Sequence, residues 1–169
     1  MNETANIYVA LGSNLPFQGR SPQETLTAAL QRLAESGVRT EAISSLWTSP
    51  AWPDPSKPAY VNAVTAVKTD LDAEGLLGVL LEVENDFGRH RVLRWDSRTL
   101  DLDLIDYRGQ VMETASLTLP HPRTGERAFV LLPLSEIAPD WVHPVSSEAI
   151  SGLISRLPEN AITQTRRIG

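Results

Sequence analysis

The hexapeptide Leu100-Asp-Leu-Asp-Leu-Ile105 constrains this chain more than any other stretch. Large aliphatics and carboxylates alternate in it with period two, which is the pattern of a β-strand whose successive side chains point to opposite faces. Asp101 and Asp103 are thus placed side by side on one face, with Leu100, Leu102 and Leu104 on the other. Two adjacent like charges repel, and a fold keeps them where something compensates. A hard divalent cation with oxygen ligands, Mg²⁺ above all, is the natural compensator. Arg89, Arg91, Arg94 and Arg98 lie just upstream, and guanidinium groups of this kind hold the phosphates that such a cation accompanies. The same alternation also serves an ordinary half-buried strand with one solvated face, so the motif needs support from the rest of the chain.

Composition narrows the function classes. A chain of 169 residues with 41% hydrophobic and 21% charged residues is expected to fold as one domain over 1–169 with a core that needs no staples. Cysteine is absent, which excludes disulfides, thiolate chemistry and Cys-based zinc sites. The N-terminal residues carry no secretory pattern, and no apolar run approaches the ~18 residues of a membrane span. The expectation is a soluble, cytoplasmic protein without a membrane partner. A net charge of −6 argues against a general nucleic-acid binder. The local clusters of arginine, Arg89 to Arg98 and the pair Arg123 and Arg127, suit a small anionic ligand instead.

The elements follow from periodicity. Ile7 to Leu11 is a short apolar run ending at Gly12-Ser13-Asn14 and reads as a buried first strand. Ser21-Pro22-Gln23-Glu24 is a capping box with proline in the first turn, and Leu26, Leu30 and Leu33 follow at helical spacing up to the stop at Gly37. Val38 to Ser45 returns to strand, Ser49 to Pro58 is a loop because its four prolines cannot join a ladder, and Tyr60 to Val67 is the next strand. A second helix runs from about Ala73 to Phe87, with Gly88 as its stop, and the arginine segment and the aspartate strand come next. Leu117 to Arg123 is expected as ordered loop, Phe129 to Ile137 as a short helix, and Ser147 as the cap of a last helix ending near Leu157. Strand, helix, strand, strand, helix, strand is the order of an α+β ferredoxin-like sandwich, a mainly antiparallel sheet with helices packed on one face.

Several stretches taken together resemble the 6-hydroxymethyl-7,8-dihydropterin pyrophosphokinase family of folate biosynthesis. They are Tyr8 to Leu15, Tyr60-Val-Asn-Ala-Val64, Gly88-Arg-His-Arg91, Arg94 to Asp103, and Leu119-Pro-His-Pro-Arg123 through Phe129. They cover most of the chain over 7–139, while 140–169 carries no usable motif. Arg-x-x-Leu-Asp-Leu-Asp followed by Leu-Pro-His-Pro-Arg is far more specific than either piece. The resemblance implies transfer of the β,γ-pyrophosphoryl group of ATP to the hydroxymethyl oxygen of the pterin, with release of AMP.

It also implies roles. Asp101 and Asp103 would hold two Mg²⁺ ions, and with Arg91 and Arg98 they form the catalytic set. ATP would meet Arg89, Arg91, Arg98, His121 and Arg127, with Leu104 and Thr118 near the adenine. The pterin would stack between Tyr60 and Phe129 and be read by Asn62, with Ser49, Pro50, Ala51 and Trp52 adding loop contacts and Trp95 closing over the substrates. Glu84 matches a glutamate of the family's helix. Read alone, Tyr60 and Phe129 are better explained by core packing and His121 by a structural hydrogen bond, and Glu84 is equally well explained by an exposed helix position. Three departures from the family pattern stand out: a Gly88-to-Trp95 loop shorter by one residue, serine at 49 where threonine is frequent, and Trp52 in place of a smaller aliphatic. The family's members are commonly monomers.

Two rivals remain in view. A nucleotidyltransferase also pairs Gly-Ser with a later Asp-x-Asp, but here Gly12-Ser13 lies some ninety positions before Asp101. An RNA-binding module on the same fold would want a basic, aromatic-rich strand, which the sequence lacks.

Overall fold

The computed structural model describes residues 6–51, 54–88 and 99–168. Its sheet is centred on two strands, β1 (Ile7–Ser13) and β4 (Tyr60–Lys68), which pair antiparallel from Ile7–Val67 to Ser13–Val61. On the far side of β1 lies β5 (Asp101–Tyr107), again antiparallel, at the sheet edge. The other side of β4 is shared by two short strands. β2 (Arg39–Ile43) pairs with its C-terminal half and β3 (Trp47–Ser49) with its start. Ser44 bridges the break, giving its N–H to Val64 O and accepting the Val64 N–H on its hydroxyl, both at 3.0 Å. The resulting order is β5-β1-β4-β3-β8, where β8 (Arg166–Arg167) pairs antiparallel with β3.

The helices form where capping and periodicity place them. α1 (Pro22–Glu35) starts at Ser21, whose hydroxyl accepts the Glu24 N–H while Glu24 reaches back to the Ser21 N–H, both halves of a capping box. α2 (Ala73–Asp86) is capped by Asp72. Both pack on one face of the sheet, where Leu26, Leu33, Leu76 and Leu80 meet Val9, Leu11, Leu102 and Leu104. Leu76 and Leu80 are wholly buried, a gain of roughly 1.5–3 kcal/mol for each such side chain.

The expected one-sided packing is corrected by the opposite face, which is covered too. α3 (Ala128–Ile137) and α4 (Ile150–Ser155) bury Val130, Leu131, Leu134 and Ile150 against Tyr8, Ala10, Val64, Ala66 and Ile105. The reason is legible in β1 and β4, which are apolar at consecutive positions rather than alternating and so demand cover on both sides. Trp141 fastens this layer, its Nε1–H donating at 2.8 Å to Asp106. Burial pushes the Asp106 carboxyl up, and the hydrogen bonds from Trp141 and the Gly109 N–H partly offset that.

The C-terminal elements also differ from expectation. Ser147 does not cap the last long helix: it sits at φ 63° in a turn, and α4 begins after Ala149 without a side-chain cap. α5 (Glu159–Gln164) and β8 follow, and β6 (Met112–Glu113) with β7 (Thr118–Leu119) forms a small hairpin beyond β5. The Leu119–Pro120 peptide is cis.

Candidate active site

One rung of the sheet organises the site. Gly12 on β1 is paired with Asn62 on β4 on one side and Asp101 on β5 on the other, and Ala10 is paired with Asp103 one step inward. All project from the face that α3 covers farther along, since Ala10 and Val64 belong to that core and Leu102 and Leu104 to the opposite one. The aspartates therefore stand on one face, half-buried, with Leu100, Leu102 and Leu104 sealed on the other, as the alternation predicts. A side chain at Gly12 would fill the rung: its Cβ would lie 3.4 Å from Asn62 Oδ1 and 3.6 Å from Tyr60 Cδ1. A glycine inside a strand often marks a close approach to its backbone, a signal that the sequence carries at Gly12 even though the apolar run alone marks it only as the strand's end.

The aspartate strand is held from outside by Glu84. Its carboxylate, 2% exposed on α2, accepts the N–H of Leu102, the residue between the two aspartates, at 2.6 Å. Glu84 is thus an acceptor for a buried edge strand's backbone, not an exposed helix position.

Cationic and neutral donors gather beside the pair. The segment after Pro120 is hooked to β5 by the His121 N–H, which donates to Ile105 O at 2.9 Å. The imidazole is pushed down to about 4, first by burial and then by the charge of Arg127, with Asp101 acting in the opposite direction. It is therefore neutral near pH 7. Its Nδ1 accepts the Arg123 N–H at 3.2 Å, which assigns the proton to Nε2 and leaves that edge as a donor. Arg127, the residue before α3, reaches Asp103 at 3.7 Å and lies 5.5 Å above the Phe129 ring.

The other end of the rung is aromatic and amide-lined. Asn62 is 4% exposed and gives its Nδ2–H to the Ser49 hydroxyl at 2.8 Å, which fixes the orientation of its amide. Tyr60 pairs with Ser49 across β4 and β3, and both Tyr60 and Phe129 are half-buried rather than sealed in the core. Pro50 and Ala51 continue from Ser49, Pro50 exposed and Ala51 buried. Asn14, just past β1 and 2% exposed, donates to Pro58 O at 2.9 Å and ties the proline loop to the sheet.

Two predicted positions fall elsewhere. Leu104 lies on the opposite face, 3% exposed within the α1/α2 core, and Thr118 is exposed on β7. Arg89, Arg91, Trp95, Arg98 and Trp52 lie outside the described residues. Among the described residues no cluster of three or more His, Asp or Glu stands ready for a metal ion. The two aspartates would need oxygens from a bound ligand and from water to complete an octahedral shell, an arrangement suited to Mg²⁺ carried in with phosphates.

Paired carboxylates with a neutral histidine donor and an arginine beside them, and half-buried aromatic rings alongside, are the equipment of an α+β enzyme that handles phosphoryl groups. The sequence profile of the 7,8-dihydro-6-hydroxymethylpterin-pyrophosphokinase (HPPK) family matches residues 8–139. A 2-amino-4-hydroxy-6-hydroxymethyldihydropteridine pyrophosphokinase of Synechocystis is 43% identical over 140 residues, covering 82% of this chain and 71% of the relative. The Haemophilus influenzae enzyme of the same name is 39% identical over 154 residues, 90% of this chain and 93% of the relative. The fold is that of a Plasmodium falciparum HPPK-DHPS crystal structure, with a TM-score of 0.73 at 15% identity over 99% of this chain. The chain spans about half of that longer protein, 48%. The chain belongs to the 7,8-dihydro-6-hydroxymethylpterin-pyrophosphokinase family.

Proposed function

We propose that the Gly12–Asn62–Asp101 rung is where this chain carries out the reaction of its family. That reaction is the transfer of the β,γ-pyrophosphoryl group of ATP to 6-hydroxymethyl-7,8-dihydropterin, a step of folate biosynthesis. The observation that carries the assignment is the meeting on one face of the aspartate pair, His121 and Arg127 with the Asn62–Ser49 hydrogen bond. The hydroxymethyl oxygen attacks the β-phosphorus, the bond from that phosphorus to the oxygen bridging to the α-phosphate breaks, and AMP leaves with the electron pair. The hydroxymethyl proton passes to solvent, and no side chain is assigned as its base.

Each residue then has a physical task. Asp101 and Asp103 would hold Mg²⁺, two ions with ATP, which would supply neutralisation of phosphate charge and polarisation of the transferred group. Arg127 and the Nε2–H of His121 bind phosphate oxygens, joined by Arg89, Arg91 and Arg98 from the adjoining segment. Tyr60 and Phe129 stack the pterin, and Asn62, locked by Ser49, reads its edge. Pro50, Ala51, Trp52 and Trp95 are assigned to the same ring, whereas Leu104, sealed in the opposite core, and Thr118, exposed on β7, receive no role here. Glu84 keeps the aspartate strand in place. The rate gain comes chiefly from positioning and charge stabilisation. The enzyme works as a single domain, as a monomer and in the cytoplasm; among the described residues no helix is long and apolar enough to cross a membrane.

The test is a product assay. Purified protein, ATP, Mg²⁺ and the pterin are combined, and AMP, ADP and pyrophosphate are resolved by chromatography. Pterin-dependent AMP that disappears in the Asp101→Ala/Asp103→Ala variant is the expected result. ADP, free pyrophosphate, or turnover indifferent to the two aspartates would overturn the assignment.

A further inference from the structure

The motif-free C-terminal segment closes the sheet at the edge that carries Ser49. Arg166 and Arg167 pair with Thr48 and Trp47, and the Ile168 N–H donates to Leu46 O at 2.8 Å. On its other side Trp47 is paired with Asn62, so β8, β3 and β4 form a continuous ladder reaching the amide of the proposed pterin subsite. β3 has only three residues, too short to be held firmly by one partner strand.

Side chains tie the same elements to α3. Glu136, in the last turn of α3, accepts the Trp47 Nε1–H at 2.6 Å and, through Ser45, an N–H at 3.1 Å and a hydroxyl at 2.9 Å. Arg167 faces Glu136 at 3.5 Å and lies 5.9 Å over the Trp47 indole. α3 also carries Phe129 in its first turn. Glu136 therefore connects the helix bearing one aromatic wall to the strand bearing Ser49, and Arg167 is fastened to both Glu136 and Trp47.

We infer that Glu136, Trp47 and Arg167 form a clasp that sets the spacing of the pterin subsite, so that β8 positions a substrate it does not touch. The inference rests on the proposed function. Glu136 draws three donors onto one carboxylate, an arrangement worth more than isolated surface contacts. The clasp lies at the Asn62 end of the rung, away from Asp101, Asp103 and His121, so loosening it alters the pterin side and spares ATP.

Arg167→Ala, Trp47→Phe and Glu136→Gln are compared with the unaltered chain by steady-state AMP formation, varying each substrate separately. Binding of the pterin alone is followed by its fluorescence, and Tm by calorimetry. Trp47→Phe keeps an aromatic ring, smaller than the indole, and removes the N–H; Glu136→Gln keeps an acceptor and removes the charge that Arg167 faces. The expected result is a KM for pterin raised about threefold to tenfold in Arg167→Ala and Trp47→Phe, the range expected from losing a charge-assisted contact, with the KM for ATP unchanged. Glu136→Gln is expected to fall between them and the unaltered chain. Equal effects on both substrates, or an unchanged KM for pterin in all three, would overturn the clasp while leaving the function standing. An unaltered chain without pterin-dependent AMP would overturn both.

Discussion

Gly12→Ala separates the fold from the site more cleanly than any substitution of a charged residue. The new methyl would stand 3.4 Å from Asn62 Oδ1 and 3.6 Å from Tyr60 Cδ1, so the protein need move only slightly to admit it. Alanine also loses less backbone freedom in a strand than glycine, by about 0.5–1 kcal/mol. Stability is therefore expected to hold or rise, with Tm within roughly 2–4 °C of the unaltered protein. The same methyl occupies the space above the groups proposed to stack and read the pterin. A ring lifted off one aromatic face loses about 0.5–1.5 kcal/mol, and one unmade hydrogen bond to Asn62 costs about as much again. Together these give about 1–3 kcal/mol, or roughly fivefold to 150-fold weaker pterin binding. Titration calorimetry with the pterin and with Mg-ATP in turn, beside a thermal melt, measures all three quantities. Unchanged pterin affinity in a variant with unchanged Tm would refute the placement of the ring over Gly12.

Two further outcomes are expected. His121, with its folded value near 4 against an ordinary 6.5, binds its proton less readily when folded, so its contribution to stability is complete above pH 6.5 and is lost as pH falls toward 4; in His121→Gln the slope of Tm against pH over that window should flatten, and an unchanged slope would show that the imidazole is not held neutral by burial. Gly88→Ala meets both a left-handed backbone, φ 80°, and a Phe17 ring atom 2.5 Å from the new Cβ. The cost should be at least about 2 kcal/mol, and a melt that drops by less than about 4 °C would contradict it.

Local patterns carried much of the fold. The capping box at Ser21–Glu24, the Asp101–Asp103 face and the helix over 128–137 all follow from spacing that a few residues define. Helices on both faces depart from the one-sided packing expected from the element order, although the signal is there: Ile7 to Leu11 is apolar at consecutive positions and Tyr60 to Val67 nearly so, the mark of strands covered twice. What eluded the sequence was non-local. β8 is two arginines, exposed and without apolar periodicity, and it is a strand only because the edge of β3 lies free to receive it. Ser147 has the residue type of a helix cap, but its positive φ places it in a turn stabilised by the His143 carbonyl and imidazole. Glu84 could be matched to the family by sequence alone, yet its task depends on α2 lying against the outer edge of β5, a contact no spacing within the helix reveals.

The site itself is marked by local rules that fail together. Glycine weakens a strand interior, adjacent carboxylates repel, and large aromatics gain most when fully buried. Away from this rung β1 and β4 are lined mostly by buried Val, Ala, Leu and Ile, and the leucines behind the aspartates are sealed. On the rung through Gly12, all three preferences are broken within two strand positions, by Gly12 itself, by Asp101 and Asp103, and by the half-buried Tyr60. The surroundings supply the compensations, with Glu84 holding the backbone of the acidic strand, Arg127 facing Asp103, and Ser49 locking the Asn62 amide. A row that gives up local stability and is reinforced from three directions supports the proposal that the ligand sits there. The chemistry of the row, acidic at one end and flat and amide-lined at the other, matches a reaction that joins a polyphosphate to a ring.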